Sequence, residues 1–428
     1  MRQSELNLAL LAPIARRTAP SVLRLDIRER QVYHLRKWME SPLDKTASRL
    51  GDGEVVKISS HLRLFRLASY ADNPIIKPTD IGLTWFEREI RRFGAIFNPG
   101  AELLGSKVVL TPRCHKNYRV GTFFDQRLGR ERTCLEDYTS EIWPLVSEDG
   151  VNFTRLDRTV IRGDGSEHED FRYGIEDVRI VKRTEDYLLV GCGKVRPPFK
   201  GENADRVAVY STTDFVEIKY HGIIECFDSR NGVPFPAPIK EKLHMLLRFH
   251  PNTHIDYLEG GPDQLLAPAK YVEDWRRVFA RRKETLLLES GKADHEREKT
   301  GPGTQVIRTD VGWLVLYHAV GRIGPEVAKV YGLSEGIDRA YSVCAALLDL
   351  ANPAKVVRRT RMPIYIPSAP HELWGNDQYP VDVPAVVFPV GAFVHKNTLF
   401  VYCGAGDKYV ILLSSRLQTL LDYLLDLG

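Results

Sequence analysis

Val146-Ser147-Glu148-Asp149-Gly150-Val151-Asn152-Phe153 and Tyr210-Ser211-Thr212-Thr213-Asp214-Phe215 are the two stretches on which the reading of the fold turns. Each closes an apolar run with a hydroxyl residue, an aspartate and an aromatic, and Ser147 and Ser211 lie 64 residues apart. Leu347-Leu348-Asp349-Leu350-Ala351-Asn352-Pro353 ends a third run in a similar way. A period of that length, with several strands in each unit, is what propeller blades look like. Outward from these stretches the texture stays the same: short β-rich runs separated by Gly, Asp, Asn and Pro. Lys107 to Leu110, Val178 to Lys182, Tyr187 to Val190, Arg206 to Tyr210, Leu243 to Arg248, Trp313 to His318 and Leu399 to Tyr402 are examples. Between about residue 70 and residue 410 there is room for five units. Aspartate-aromatic turns also close sandwich strands, so the repeat favours a propeller over a sandwich or barrel without deciding alone.

Three segments depart from this texture. Residues 1–65 read as a charged, helical N-terminal extension, for example Ile27 to Met39, and residues 66–428 as one catalytic domain. Pro268 to Glu298, rich in Lys, Arg, Glu and Leu at helical spacing, reads as a helical insertion with a solvated charged face. Ser415 to Leu427 reads as an amphipathic closing helix.

Sixty basic against 56 acidic residues leave a net charge of +4 over 428 residues, too small to argue for nucleic-acid or membrane binding. Cys114, Cys134, Cys192, Cys226, Cys344 and Cys403 are scattered with no Cys-x-x-Cys pair, which gives neither a zinc site nor a disulfide framework and suits a reducing cytoplasm. The apolar stretch Leu6 to Ile14 is short for a secretory signal and is followed by Arg16-Arg17. A cytoplasmic protein is expected. Phosphate-binding and dinucleotide-binding glycine loops and the serine-hydrolase elbow do not occur, and the histidines show no metal spacing. No cofactor or metal is called for.

The candidate chemistry lies elsewhere. Arg230 in Arg-Asn-Gly-Val-Pro-Phe-Pro, Arg248 in Leu-Leu-Arg-Phe-His-Pro, Lys299 in Lys-Thr-Gly-Pro-Gly, His318 in Gly-Trp-Leu-Val-Leu-Tyr-His and Tyr341 in Tyr-Ser-Val-Cys-Ala each sit in a short motif. Brought together, they would hold a small dianion, most simply inorganic phosphate, since guanidinium forks pair with phosphate oxygens and lysine adds a point charge. Upstream, Gly174-Ile175-Glu176-Asp177-Val178-Arg179 offers a carboxylic acid able to protonate a glycosidic oxygen. Each of these residues alone has an ordinary alternative: a surface arginine, a turn salt bridge, a core histidine, a structural tyrosine. Asn73-Pro74-Ile75-Ile76 and Phe97-Asn98-Pro99-Gly100-Ala101 place amides beside rigid turns, suited to sugar hydroxyls, and Trp313, Trp374 and Tyr379 offer stacking faces. Arg113, Glu176 and Asp382 complete the candidate substrate-binding set.

The order of these motifs, continued by Ala346-Leu347-Leu348-Asp349-Leu350, Val387-Phe388-Pro389-Val390-Gly391 and Tyr402-Cys403-Gly404-Ala405-Gly406-Asp407, resembles glycoside hydrolase family 130, the β-mannoside phosphorylases, over roughly residues 70 to 415. The resemblance implies an all-β fold, a five-bladed β-propeller with its active site in the central funnel. It implies that Asp177 is the general acid, that Arg230, Arg248, Lys299, His318 and Tyr341 bind phosphate, and that Asp407 binds the mannosyl unit. The expected reaction is inverting phosphorolysis of a β-mannoside, of manno-oligosaccharide or mannosyl-glucose type, to α-mannose 1-phosphate and a shortened acceptor, formally hexosyl transfer to phosphate as co-substrate. The family's hydrolytic members depart at the phosphate positions, which are all retained here. Val178 stands where the family has proline after the acid, Thr304-Gln305 where it often has prolines, and Ala319 where glycine is common. Two rivals are a β-mannosidase that uses water, with Glu225 or Glu372 as base, and a non-catalytic sugar-binding propeller. The N-terminal arm and the helical insertion are plausible surfaces for homo-oligomer contact.

Overall fold

The computed structural model describes residues 40–427, apart from 61, 127–128, 137–138, 164–170, 172 and 196–203. Five antiparallel sheets of four or more strands follow one another along the chain. The first is built on Ala95–Leu104 and Lys107–His115, the second runs from Ile175–Lys182 to Lys219–Ile224, and the third from Val233–Pro234 to Leu286–Leu288. The fourth runs from Lys299–Pro302 to Val356–Arg359, and the fifth holds Val387–His395, Thr398–Ala405 and Tyr409–Arg416. The fifth sheet takes its last strand, Ala68–Ser69, from the other end of the chain, with Leu413 opposite Ser69. Helices are few and short, so the fold is mostly β.

The alternation of buried residues explains the layering. In the strand Trp313–Ile323, Trp313, Val315, Tyr317 and Ala319 face one core cluster, while Leu314 and Leu316 face another. Both faces of each inner strand are thus covered, which is why the strands read as continuous apolar runs rather than as polar–apolar alternation. Strands of neighbouring sheets touch. Ala95–Leu104 contacts both Ile175–Lys182 and Val387–His395, Ile175–Lys182 contacts Val233–Pro234, and Leu243–Phe249 contacts Lys299–Pro302. The circuit is completed by contacts of Trp313–Ile323 and Ile337–Leu348 with Val387–His395.

The repeated turns occupy the same place in three sheets, between the third strand and the outermost one. Ser147 Oγ accepts from the Asp149 and Gly150 amides, and Asp149 Oδ1 accepts from Val151 and Asn152. In the second sheet Thr212 Oγ1 accepts from Asp214 and Phe215, and Asp214 Oδ1 from Val216 and Glu217. The counterpart of Ser147 is therefore Thr212, one residue beyond Ser211. Asp349 Oδ1 repeats the aspartate half of the motif, accepting from Ala351 and Asn352.

Of the N-terminal extension, Ile27 to Met39 lies outside the described residues. The part from residue 40 onward is less helical than expected: only Pro42–Ala47 is helical, capped by Ser41, whereas Glu54–Lys57 and Arg63–Arg66 pair as strands. Val55 and Val56 favour the extended pairing, and Arg66 binds Glu54 across it. In the expected insertion, Val272–Ala280 is a helix that buries Trp275 and Val278, while Leu286–Leu288 leaves it to form the outer strand of the third sheet. The closing helix spans Leu417–Leu425 and buries Leu420, Leu421, Tyr423 and Leu424. Among the described residues no helix is long and apolar enough to cross a membrane, and the six cysteines are free thiols.

Candidate active site

The site is assembled where the first strands of the sheets converge. Two β-bulges set it up, one between Phe97 and Gly100 and one between Glu176 and Arg179. At these bulges Asn98 has φ +50° and Asp177 φ +52°, in the left-handed region that few residues but Asn and Asp tolerate. The bulges re-aim both side chains so that they meet: Asn98 Nδ2 donates to Asp177 Oδ1 at 2.8 Å. Asp407, on the turn after Thr398–Ala405, has φ +51°. Three left-handed side chains in one site is strain of the kind that accumulates where geometry serves chemistry. The approach is close enough that a Cβ on Gly404 would lie 2.0 Å from Asn98 Oδ1.

Asp177 is 3 % exposed and flanked by cations, with Arg113 at 3.6 Å and Arg230 at 3.8 Å. Glu176, fully buried, binds Arg113 through Oε1 at 2.8 Å and Arg230 through Oε2. Arg113 Nε donates to His115 Nε2 at 2.8 Å, and burial together with the Arg113 charge holds that imidazole well below its usual range. Arg113 also lies over the Phe97 ring, 4.7 Å from its centroid. Burial, only partly offset by Arg113 and reinforced by Asp177 and Asp382, pushes the Asp407 carboxyl up to about 7. Asp382 binds Tyr118 OH and, at 3.1 Å, Lys408 Nζ, so it anchors the turn that carries Asp407.

Beyond Arg230 lies a cationic group. Lys299 Nζ donates to Tyr341 OH at 2.7 Å and sits over its ring. His318 stacks on Tyr341 with ring centroids 6.2 Å apart and packs at a tilt on Phe388 at 4.4 Å. His318 and Arg248 both abut Gly301, whose absent Cβ would lie 2.3 Å from His318 Cε1 and 3.0 Å from Arg248 Cδ. Burial, with like-charged neighbours adding to it, lowers Arg248, Lys299 and His318. Against burial, Lys299 and Arg339 bring the Tyr341 phenol down to about 7. Among the described residues, Arg248 Nε and Asn98 Oδ1 are buried with no hydrogen-bond partner. Open polar atoms also occur elsewhere in the fold, as at Trp275 Nε1 and Tyr331 OH, but here they stand beside a group of cations.

The structure thus brings together Asp177, Glu176, Asn98, Arg113, Arg230 and Asp407 on one side and Arg248, Lys299, His318 and Tyr341 on the other. It does not bring Asn73. That carboxamide donates to Leu412 O at 2.9 Å and Ser69 Oγ at 3.0 Å and accepts from Leu412 N, so it ties the chain's early segment to the fifth sheet. Trp313 is core, packed on Phe235, and Trp374 is 65 % exposed. Glu225 is exposed, and Glu372 is buried, accepting from the Ser368 and Ala369 amides and Tyr365 OH. A cavity of about 450 Å³ between Gly53, Arg66, Tyr331 and Ser368 contains none of the candidates.

Sequence reasoning passed over Arg179, Tyr118, Lys408 and Arg339. Arg179 donates to the carbonyls of Asp177 at 2.7 Å, Gly303 at 2.9 Å and Pro302 at 3.3 Å, locking the Asp177 bulge to the Lys299–Gly303 segment. Its place two residues after Asp177 in the same short motif was the available signal. The departures from the family pattern serve packing. Val178 is fully buried, and Gln305 Nε2 donates to Ala101 O, with Gln305 Oε1 accepting from Ala392 N.

A sequence model described as β-1,4-mannooligosaccharide phosphorylase, Glyco_hydro_130, matches residues 70–426. A β-1,2-mannobiose phosphorylase of Listeria innocua is 30% identical over 294 residues, covering 67% of this chain and 70% of that protein. One of Thermoanaerobacter sp. is 27% identical over 350 residues, covering 81% of this chain and 96% of that protein. The structure of the Listeria innocua enzyme with β-1,2-mannobiose superposes with a TM-score of 0.61 at 21% identity, covering 84% of this chain and 99% of that one, a likeness of fold. With the motifs, the fold and the match over most of its length in agreement, the chain belongs to glycoside hydrolase family 130, the β-mannoside phosphorylases.

Proposed function

We propose that the protein is an inverting phosphorylase that cleaves a β-mannoside with inorganic phosphate, releasing α-mannose 1-phosphate and a shortened acceptor. The observation that carries this reading is the group of Arg248, Lys299, His318 and Tyr341 set beside Asp177, with Arg248 Nε lacking a protein partner. Half-buried cations packed together repel one another and a buried donor without a partner is costly, and a phosphate dianion relieves both. In this reading the five sheets are the blades of a propeller formed by residues 66–428, and the site lies in its funnel.

Phosphate is held by Arg230, Arg248, Lys299, His318 and Tyr341. The mannosyl unit is bound by Asp407, Asn98 and Arg113, while Glu176 and Asp382 hold Arg113, Arg230 and the Asp407 turn in place. A phosphate oxygen bonds to the anomeric carbon on the face opposite the leaving oxygen as the glycosidic bond breaks. Asp177 gives its proton to that oxygen, directly or through a sugar hydroxyl, and the acceptor leaves as an alcohol. The new monoester then releases the proton it inherited from phosphate, which restores Asp177, so atoms and charge balance. One displacement turns β into α. No base is needed, because phosphate is already an anionic nucleophile. A water-using enzyme needs a second carboxylate as base, and the locations of Glu225 and Glu372 favour neither.

The similar enzymes act on β-1,2-linked mannosides, so β-1,2-mannobiose and β-1,2-oligomannan are the first substrates to offer, with β-1,4-manno-oligosaccharides next. Incubation with and without phosphate tests the reading. Cleavage is expected only with phosphate; equal sugar release without it would sink the assignment.

A further inference from the structure

Arg230 has to serve two sides at once. Its guanidinium binds Glu176 and lies 3.8 Å from Asp177, while Arg248 is a cationic neighbour beyond it. These contacts fix only the Nη2 end of the guanidinium. A third carboxylate meets the guanidinium at a different nitrogen. Asp205 Oδ2 lies 3.7 Å from Arg230 Nε, and Asp205 Oδ1 accepts from Lys194 Nζ.

Lys194 and Asp205 face one another across paired strands of the second sheet. The lysine is fully buried and the aspartate 5 % exposed. A buried ammonium beside a buried carboxylate is costly unless paired, so each fixes the other. Burial works against the Asp205 charge, yet Arg230 and Lys194 hold its carboxyl below the usual range. The same residue also grips the backbone, because Asp205 O accepts from Ser229 N at 3.1 Å, one residue before Arg230. On the other side, Asn231 Nδ2 donates to Pro302 O at 2.8 Å, which ties the segment to the Lys299 turn.

We infer that Asp205, fixed by Lys194, is a positioning residue that holds the Arg230 guanidinium between the acid and the phosphate pocket. Asp205 at Nε and Glu176 at Nη2 anchor two nitrogens of the guanidinium, so that its orientation beside the phosphate pocket is fixed. Asp205 acts through Arg230 and does not touch the reacting atoms. The inference rests on the phosphorolysis reading.

The test compares the full-length wild type with Asp205→Asn and with the double variant Lys194→Met/Asp205→Asn, which removes one charge of each sign and leaves no buried ion unpaired. Thermal melting and separate KM values for phosphate and for a β-mannoside are measured. Both variants should raise the phosphate KM by about tenfold or more, with the mannoside KM changed by no more than about twofold. The double variant should melt closer to the wild type than Asp205→Asn does and still show the phosphate defect. A double variant with a wild-type phosphate KM, beside a wild type that requires phosphate, overturns the inference alone. So does a loss confined to kcat with both KM values unchanged. Sugar release by the wild type that ignores phosphate overturns the functional reading and this inference with it.

Discussion

Adding one methyl group at Gly301 should remove phosphate use from this enzyme. The new Cβ would lie 2.3 Å from His318 Cε1, 2.7 Å from His318 Nε2 and 3.0 Å from Arg248 Cδ. Ordinary contact between such atoms begins near 3.5 Å, so the imidazole must retreat by roughly 1 Å. Its room is limited, because Phe388 already packs against it at a centroid distance of 4.4 Å, at the near limit for ring pairs. Overpacking of this kind costs about 1–3 kcal/mol of stability. Displacing a substrate-positioning group by about 1 Å costs on the order of 100-fold in rate. Gly301→Ala should therefore lower kcat/KM for phosphate about 100-fold at fixed mannoside, with a smaller change in mannoside KM and a reduced melting temperature. The double variant Gly301→Ala/His318→Ala should recover the melting temperature and leave phosphate use impaired, since space returns but the imidazole does not. A folded Gly301→Ala enzyme with wild-type phosphate kinetics would refute the placement of His318 and Arg248 in the phosphate pocket.

Asp177→Asn should abolish turnover of mannobiose, a loss of about 10²–10⁴-fold for a general acid, and should be partly rescued by a mannoside whose leaving group needs no proton; equal loss on both substrates would speak against the acid role. Arg230→Ala should weaken phosphate binding and also destabilise the protein, because the buried Glu176 and Asp205 each lose one of two cationic partners; denaturant unfolding beside phosphate titration reads both effects. The Tyr341 phenol, held at about 7 by Lys299 and Arg339, should titrate near neutral pH in ultraviolet difference absorbance. Bound phosphate, being anionic, should move that titration upward, Arg339→Ala should do the same, and Tyr341→Phe should erase it. Asp44 is held well below the usual carboxylate range by Lys396 and His395, with burial opposing. A depressed carboxyl contributes stability that is present above its unfolded value near 3.8 and is lost as pH falls through its folded value. Asp44→Asn should accordingly lower the melting temperature at neutral pH and converge with the wild type in strong acid.

Much of this architecture was legible in the sequence, and for identifiable reasons. Lys107 to Leu110, Tyr187 to Val190 and Trp313 to His318 lie in strands because inner strands covered on both faces leave uninterrupted apolar runs. The Ser/Thr-x-Asp turns carry their own backbone hydrogen bonds, so they were readable locally, to within the one-residue slip between Ser211 and Thr212. The acid and the cationic candidates were findable because each sits in a distinctive short motif. What escaped was long-range. Nothing near Asn73 shows that its amide will bind Leu412, 339 residues away. Lys194 and Asp205 look like ordinary strand-end charges until their strands pair. The bulges that turn Asn98 and Asp177 toward each other arise from register between strands, which a linear reading does not contain.

The identity of the nucleophile is the central claim, and it is tested most directly by cleaving β-1,2-mannobiose with phosphate in oxygen-18-labelled water and examining the mannosyl product by mass spectrometry and NMR. The account predicts α-mannose 1-phosphate with no label from water. Free mannose carrying the label at its anomeric oxygen immediately on release would contradict it.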